Sequence, residues 1–187
     1  MESSERYVNE RLDHLGVVAG VCQEIGLATY LDRLAGESNH HVSMGTATVA
    51  MILNGLGFSN RRLYLVPQFF ANKPVEHLLG PGIEAAHPTD DCPGRMLDWL
   101  YVHDHTQLFA GNATQGHKTF GVRARHVHHV QVDTTTFSVS GVCEMSVIAI
   151  NYGYSGDHRE DLKQWMLALV TTHEGDVPLF FGLCQKA

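Results

Sequence analysis

Near residue 125 the character of the sequence changes, and that change constrains the fold more than any other feature. Before it, apolar residues recur at three- to four-residue intervals: Leu15, Val18, Val21, Ile25 and Leu27, then Tyr30, Leu31 and Leu34. That spacing predicts amphipathic helices. After it, β-branched and aromatic residues alternate through Val127, Val130, Val132, Thr134 to Phe137 and Val139, which predicts strands. The expected fold class is therefore α+β. An all-helical part covers residues 1–110, a connector 111–125, and about three antiparallel strands follow over 126–187.

Within the helical part the first stretch runs over residues 12–35, with Gly26 positioned to break it in two and Gly36 to stop it. A second helix is expected over Ser43 to Leu56, with Val49, Ile52 and Leu53 inward. A third is expected over Arg61 to Phe70, with Pro67 kinking or ending it. Pro74 to Leu79 opens on proline, which suits a first helical turn. Asp91 is the expected N-cap of a helix over Pro93 to Tyr101, with Leu97 and Leu100 on its apolar side. Residues 104–120 read as a polar helix or a link. In the second part, Val147 to Ile150 and Trp165 to Val170 read as short apolar strands. His173 to Asp176 reads as a hairpin turn leading into Val177 to Phe181.

Composition narrows the function classes. The 44% hydrophobic and 18% charged residues describe an ordinary globular chain, neither disordered nor collagen-like. The 187 residues carry a net charge of −7, and residues 1–110 hold most of the excess acid. That balance argues against a protein that coats polyanions. The four cysteines, Cys22, Cys92, Cys143 and Cys184, form no C-x-x-C pair and read as buried free thiols of a reducing compartment. No basic segment followed by an apolar core opens the chain, and runs such as Val49 to Leu53 are too short for a membrane span. A cytoplasmic protein without membrane partners is the expectation.

Two segments carry chemistry. Asp133 stands inside the β-branched run Val132-Asp133-Thr134-Thr135-Thr136-Phe137. A strand disfavours aspartate, and a carboxylate there needs water, a hydrogen-bond partner or a metal. Either an edge-strand Asp capped by its threonine neighbours or a ligand for a hard divalent ion such as Mg²⁺ fits. Two-metal phosphoryl chemistry requires two or three converging carboxylates, so Asp133 alone does not supply it. The second segment, Tyr152 to Gln164, gathers Tyr152, Tyr154, His158, Arg159 and Lys163 among Asp157, Glu160 and Asp161. Arg159 and Lys163 suit phosphates, and the tyrosines suit stacking on bases. A solvated charged loop has the same composition. The 13 histidines, including His126, His128 and His129 just before Asp133, show no ligand spacing of a zinc site.

The run Val132 to Phe137, followed by Tyr152-Gly153-Tyr154-Ser155, Asp157-His158-Arg159 and Asp161-Leu162-Lys163-Gln164, resembles the insertion-sequence transposases of the DDE class. The stretch Leu167 to Val170 with Gly175 to Leu179 is similar to the hairpin that follows there. Arg11 to Gly20, Asn54 to Phe58 and Leu78 to Gly80 are similar to the helical domain that precedes the catalytic domain in one branch of that family. The resemblance implies a ribonuclease H-like domain, with Asp133 as the first catalytic carboxylate and Mg²⁺ ligand. It also implies Tyr154, His158, Arg159 and Lys163 as nucleic-acid contacts. Gly156 and Glu160 depart from the Arg and Pro of the family pattern. The family's second catalytic Asp and its Glu lie further along than this sequence runs.

The expectation that follows is a truncated, catalytically inactive DDE transposase for DNA transposition, ended by a frameshift or early stop. Its partners would be DNA at element ends and a second copy or a full-length transposase. A module that binds DNA ends or dimerises to regulate transposition is the alternative, and a remnant without activity is the third. Three strands without the later elements of that fold leave an apolar face and an edge uncovered. Limited proteolysis should therefore cut residues 125–187 before the helical part; equal resistance of the two halves would contradict this.

Overall fold

In the computed structural model the helical stretch expected over residues 12–35 breaks at Gly26, whose φ of +70° is left-handed and favours glycine. Helices α1 (Leu15–Glu24) and α2 (Leu27–Ala35) result. The structure describes residues 9–36, 40–57, 65–89, 91–121, 129–141, 150–153, 160–173 and 175–184. The chain separates into two compact units, Met1–His103 and Asp104–Ala187. Its fold class is α+β, with seven helices preceding an antiparallel sheet among the described residues.

In the first unit, α3 (Met44–Leu56) packs against α1, α2, α5 (Val75–Leu79) and α6 (Asp91–Val102). It is apolar nearly all round, as a helix buried on several sides must be. Ala47, Val49, Ala50 and Leu53 are all buried. Two features fix its start. Ser43 caps it, accepting the Thr46 N–H at 3.1 Å, and Asp32 of α2 accepts both the Ser43 hydroxyl (2.8 Å) and the Gly45 N–H (2.7 Å). A carboxylate at a helix N-terminus satisfies orphan donors and complements the positive end of the dipole. Gly45 then lets the two helices touch: a Cβ there would lie 2.2 Å from the Ala28 carbonyl oxygen.

The inward faces differ in detail from the expected ones. On α1 the buried stripe is Leu15, Ala19 and Cys22, at i, i+4 and i+7, so Val21 falls one position off it and is 42% exposed. On α6 Cys92, Pro93 and Met96 are buried and Leu97 is exposed. Asp91 is the first residue of that helix rather than its cap. Pro67 sits in the first turn of α4 (Val66–Phe70), where a missing N–H costs nothing. Residues 61–64 of the expected third helix lie outside the described residues.

In the second unit, α7 (His105–Thr119) starts on Asp104, whose carboxylate accepts the Thr106 and Gln107 N–H groups at 2.9 and 3.2 Å. This helix fills residues 111–119 of the expected connector. The sheet consists of β1 (Val130–Val139), β2 (Asn151–Tyr152), β3 (Lys163–Thr172) and β4 (Pro178–Cys184). β3 is central and pairs antiparallel with each of the others. It is longer at both ends than the apolar run predicts, because its terminal Lys163, Gln164 and Thr172 still find partners in β1. The turn into β4 holds Gly175 and Asp176 at positive φ and is clamped by Thr172, whose Oγ1 accepts the Val177 N–H at 3.1 Å. α7 packs on β4, with the Phe109 and Phe181 rings edge to face at 4.8 Å. The strand expected over Val147 to Ile150 lies outside the described residues save Ile150.

Replacing Asp32 by Ala should cost about 1–3 kcal/mol through two lost charge-assisted hydrogen bonds. Gly45→Ala should cost a similar amount, about 1–3 kcal/mol, by overpacking. Urea unfolding followed by circular dichroism measures both; unchanged midpoints would contradict the joint.

Candidate functional site

Asp133 sits near the middle of β1, opposite Leu169 of β3. The pleat puts it on one face with His129, Gln131, Thr135 and Phe137, as the alternation predicts. Phe137 stacks on its cross-strand partner Trp165, with ring centroids 4.4 Å apart and planes 11° from parallel. That aromatic pair anchors the register at one end. At the other end Gln131 Nε2 donates to His173 Nδ1 at 3.0 Å, and the His129 and His173 rings meet edge to face.

The ladder shows which main-chain groups of β1 are in use. The His173 N–H donates to the His129 carbonyl at 3.3 Å, so the level formed by these two residues is a hydrogen-bonded one. Such levels alternate in an antiparallel pair. The main-chain groups of Gln131, Asp133, Thr135 and Phe137 therefore face β3. Those of Val130, Val132, Thr134, Thr136 and Ser138 face the outer edge, with which no described strand pairs. One outward donor is satisfied locally: the Thr134 N–H donates to Asp133 Oδ1 at 2.8 Å. Asp133 is exposed and covers one of its strand's own free amides.

The other expected contacts do not gather around it. Lys163 opens β3, paired with Val139 and Tyr152. It stands six residues along β3 from Leu169, about 20 Å from the level of Asp133. Tyr154, His158 and Arg159 lie outside the described residues, as do His126 and His128. His129 is four residues along the strand from Asp133, about 13 Å away, beyond any shared ion. Among the described residues no three His, Cys, Asp or Glu side chains come together as a metal site. The donor set around Asp133 is thus a single carboxylate already holding an amide, and the described residues do not compose a Mg²⁺ site by themselves. His41 stacks on His87 at 5.3 Å instead of serving a ligand cluster.

The comparisons with known proteins bear on the helical part. A family model matches residues 7–114, more than half of the chain. The chain belongs to the DUF4277 family, described as a domain of unknown function. No curated protein and no solved structure matches it. Asp133 and Lys163 lie outside the matched residues. Among the described residues no helix is long and apolar enough to cross a membrane.

What sequence reasoning missed here is the outward Thr134 amide and its carboxylate cover. The Asp-Thr neighbourhood pointed to a capped carboxylate, but which amides face outward depends on the β1–β3 register, which no local pattern encodes. In the helical unit, Cys22 lines a cleft of about 330 Å³ together with Gln23, Thr46 and His77. Burial pushes its thiol pKa up, against a smaller opposing effect of a backbone hydrogen bond. Less thiolate means less reactivity. Cys22 and the equally buried Cys92 are free thiols. Both should resist alkylation in the native protein and label fully in urea, read by peptide mass spectrometry; rapid native labelling of Cys22 would contradict its burial.

Proposed function

We propose that this chain serves DNA transposition as a member of the DDE-class transposases, contributing the first catalytic carboxylate, Asp133, without completing the catalytic set by itself. The observation that carries this reading is an exposed aspartate in mid-strand, within Val132 to Phe137 and ahead of the Tyr152 to Gln164 motif. Aspartate is depleted in strands, and covering the Thr134 amide occupies Oδ1 of the Asp133 carboxylate. The antiparallel β1–β3–β4 arrangement supports a ribonuclease H-like beginning. Mg²⁺ in such enzymes activates the attacking oxygen and stabilises the leaving one. In this chain Asp133 would be one of its ligands, with the remaining carboxylates supplied from outside the described residues. Arg159 and Lys163 would meet phosphates, and Tyr154 and His158 the bases or sugars of the element end.

A regulatory role through association with a second copy or a full-length transposase is a second reading. The acidic balance of residues 1–110 favours it, because phosphate binding scales with the cations that displace counterions.

Supercoiled DNA incubated with the chain and Mg²⁺ or Mn²⁺ should stay intact, for wild type and Asp133→Ala alike. Nicking that disappears in Asp133→Ala would show an active enzyme. Gel shifts on element-end DNA should appear at low salt, and Arg159→Ala and Lys163→Ala should each lower the salt slope by about one. No shift at low salt would remove DNA from the reading.

A further inference from the structure

The loop between α5 and α6 closes on itself through two reciprocal hydrogen bonds. The His87 N–H donates to the Glu84 carbonyl at 3.0 Å, and the Glu84 N–H donates to His87 Nδ1 at 3.0 Å. A main-chain N–H only donates, so Nδ1 must be the bare nitrogen of a neutral imidazole, with the ring proton on Nε2. The His41 ring, just ahead of α3, stacks on this ring with centroids 5.3 Å apart and planes 11° from parallel. Neutral rings tolerate that overlap, whereas two imidazolium ions repel.

The clasp lies over Cys92. The His87 carbonyl accepts the Thr89 N–H at 2.8 Å and the Cys92 thiol at 3.6 Å. Pro88 between them is fully buried. Cys92 is 6% exposed, in the cluster with Val42, Ala47 and Met96 that joins α3 to α6. Its sulfur also accepts from Arg95 Nη2 at 3.5 Å. The main chain that His87 holds in place is thus part of what covers the thiol.

We propose that His87 is a proton-operated latch: a proton on Nδ1 ejects the Glu84 N–H, loosens residues 84–89 and opens the way to the Cys92 thiol. Two donors cannot share one bond, so the protonated ring turns an attraction into a repulsion. Flipping the ring does not restore the bond, because it puts the Cδ2–H where Nδ1 stood. Among the described residues, the titratable and charged groups on the elements that meet here are His40 and His41, Glu84, and Asp91, Cys92 and Arg95 at the start of α6. Of these residue types only histidine ordinarily changes charge between about pH 5 and 8. The stack with His41 adds to the effect, since a second proton sets two cations face to face beside Arg95. Every part of the latch lies in the first unit and within the matched residues 7–114, so it stands whatever Asp133 does.

The test follows the isotope-labelled full chain by nuclear magnetic resonance. Between about pH 8 and about pH 5 the Glu84 amide should shift along the same titration curve as the His87 ring. Over that range, labelling of Cys92 by a disulfide reagent that works in weak acid should rise about fivefold relative to Cys22, the change in opening that one net hydrogen bond controls. Cys22 is buried outside this loop, so the general effect of pH on thiols cancels in the ratio; peptide mass spectrometry reads each site. His87→Asn keeps an acceptor near the position of Nδ1 but takes up no proton, and should hold both readouts constant. His41→Gln should leave the Glu84 response in place, because the clasp belongs to His87. A His87 ring that stays neutral, a Glu84 amide that ignores the ring, or an unchanged labelling ratio would overturn the proposal. So would a His87→Asn protein that responds as wild type does, or a Glu84 response lost in His41→Gln. Should His87→Asn fail to fold, the joint titration of Glu84 and His87 in the wild type decides.

Discussion

The β1–β3 ladder is the constraint on which the second unit depends. Ten consecutive residue pairs, from Val130 with Thr172 to Val139 with Lys163, leave no freedom in register. A slip of β1 by one residue would turn Asp133 and Phe137 to the opposite face and break the stack on Trp165. The same ladder, in which the Asp133 main chain pairs with Leu169, decides which amides point outward. In the helical unit the corresponding constraint is the close crossing of α2 and α3, where Asp32 supplies the hydrogen bonds and Gly45 the room.

Much of the architecture was legible in the sequence because single residues announced it. Gly26 marked the break between α1 and α2, Ser43 the start of α3, and alternating β-branched residues the strand that became β1. The inward faces were less legible. Val21 and Leu97 are as apolar as their buried neighbours, and only the angle at which a helix meets α3 decides which positions are covered. Small residues such as Ala19 and Gly45 took buried positions that a count of large side chains passes over. Pro67 illustrates a different limit: proline is read as a breaker or a starter according to where the helix begins.

The site was legible as a residue and illegible as an arrangement. Asp133 stood out because aspartate is uncommon in a strand. Its hydrogen bond to the next amide, its distance from Lys163 and its place on a strand whose outer side pairs with no described strand are consequences of pairing between segments far apart in the chain. The family match covers the helical part, whereas the residues with recognisable chemistry lie beyond it. What occupies the outer edge therefore bears directly on what Asp133 can do, since a neighbouring strand fixes both its hydrogen-bond partners and its access to water.

The separation of the paired residues has a further consequence for how the chain acquires its structure. Helices α1 to α3 form from neighbours in sequence, and the β3–β4 hairpin closes over a short turn. β1 must wait for a partner that begins more than twenty residues after β1 ends and finishes at Thr172. At ribosomal rates of about 5–20 residues per second, that wait lasts on the order of seconds. Until then the edge of β1 that faces β3 has no partner. Contacts so distant in sequence also form slowly once they are possible. The ladder that sets the surroundings of Asp133 is thus a late product of synthesis, completed only once Thr172 has been added.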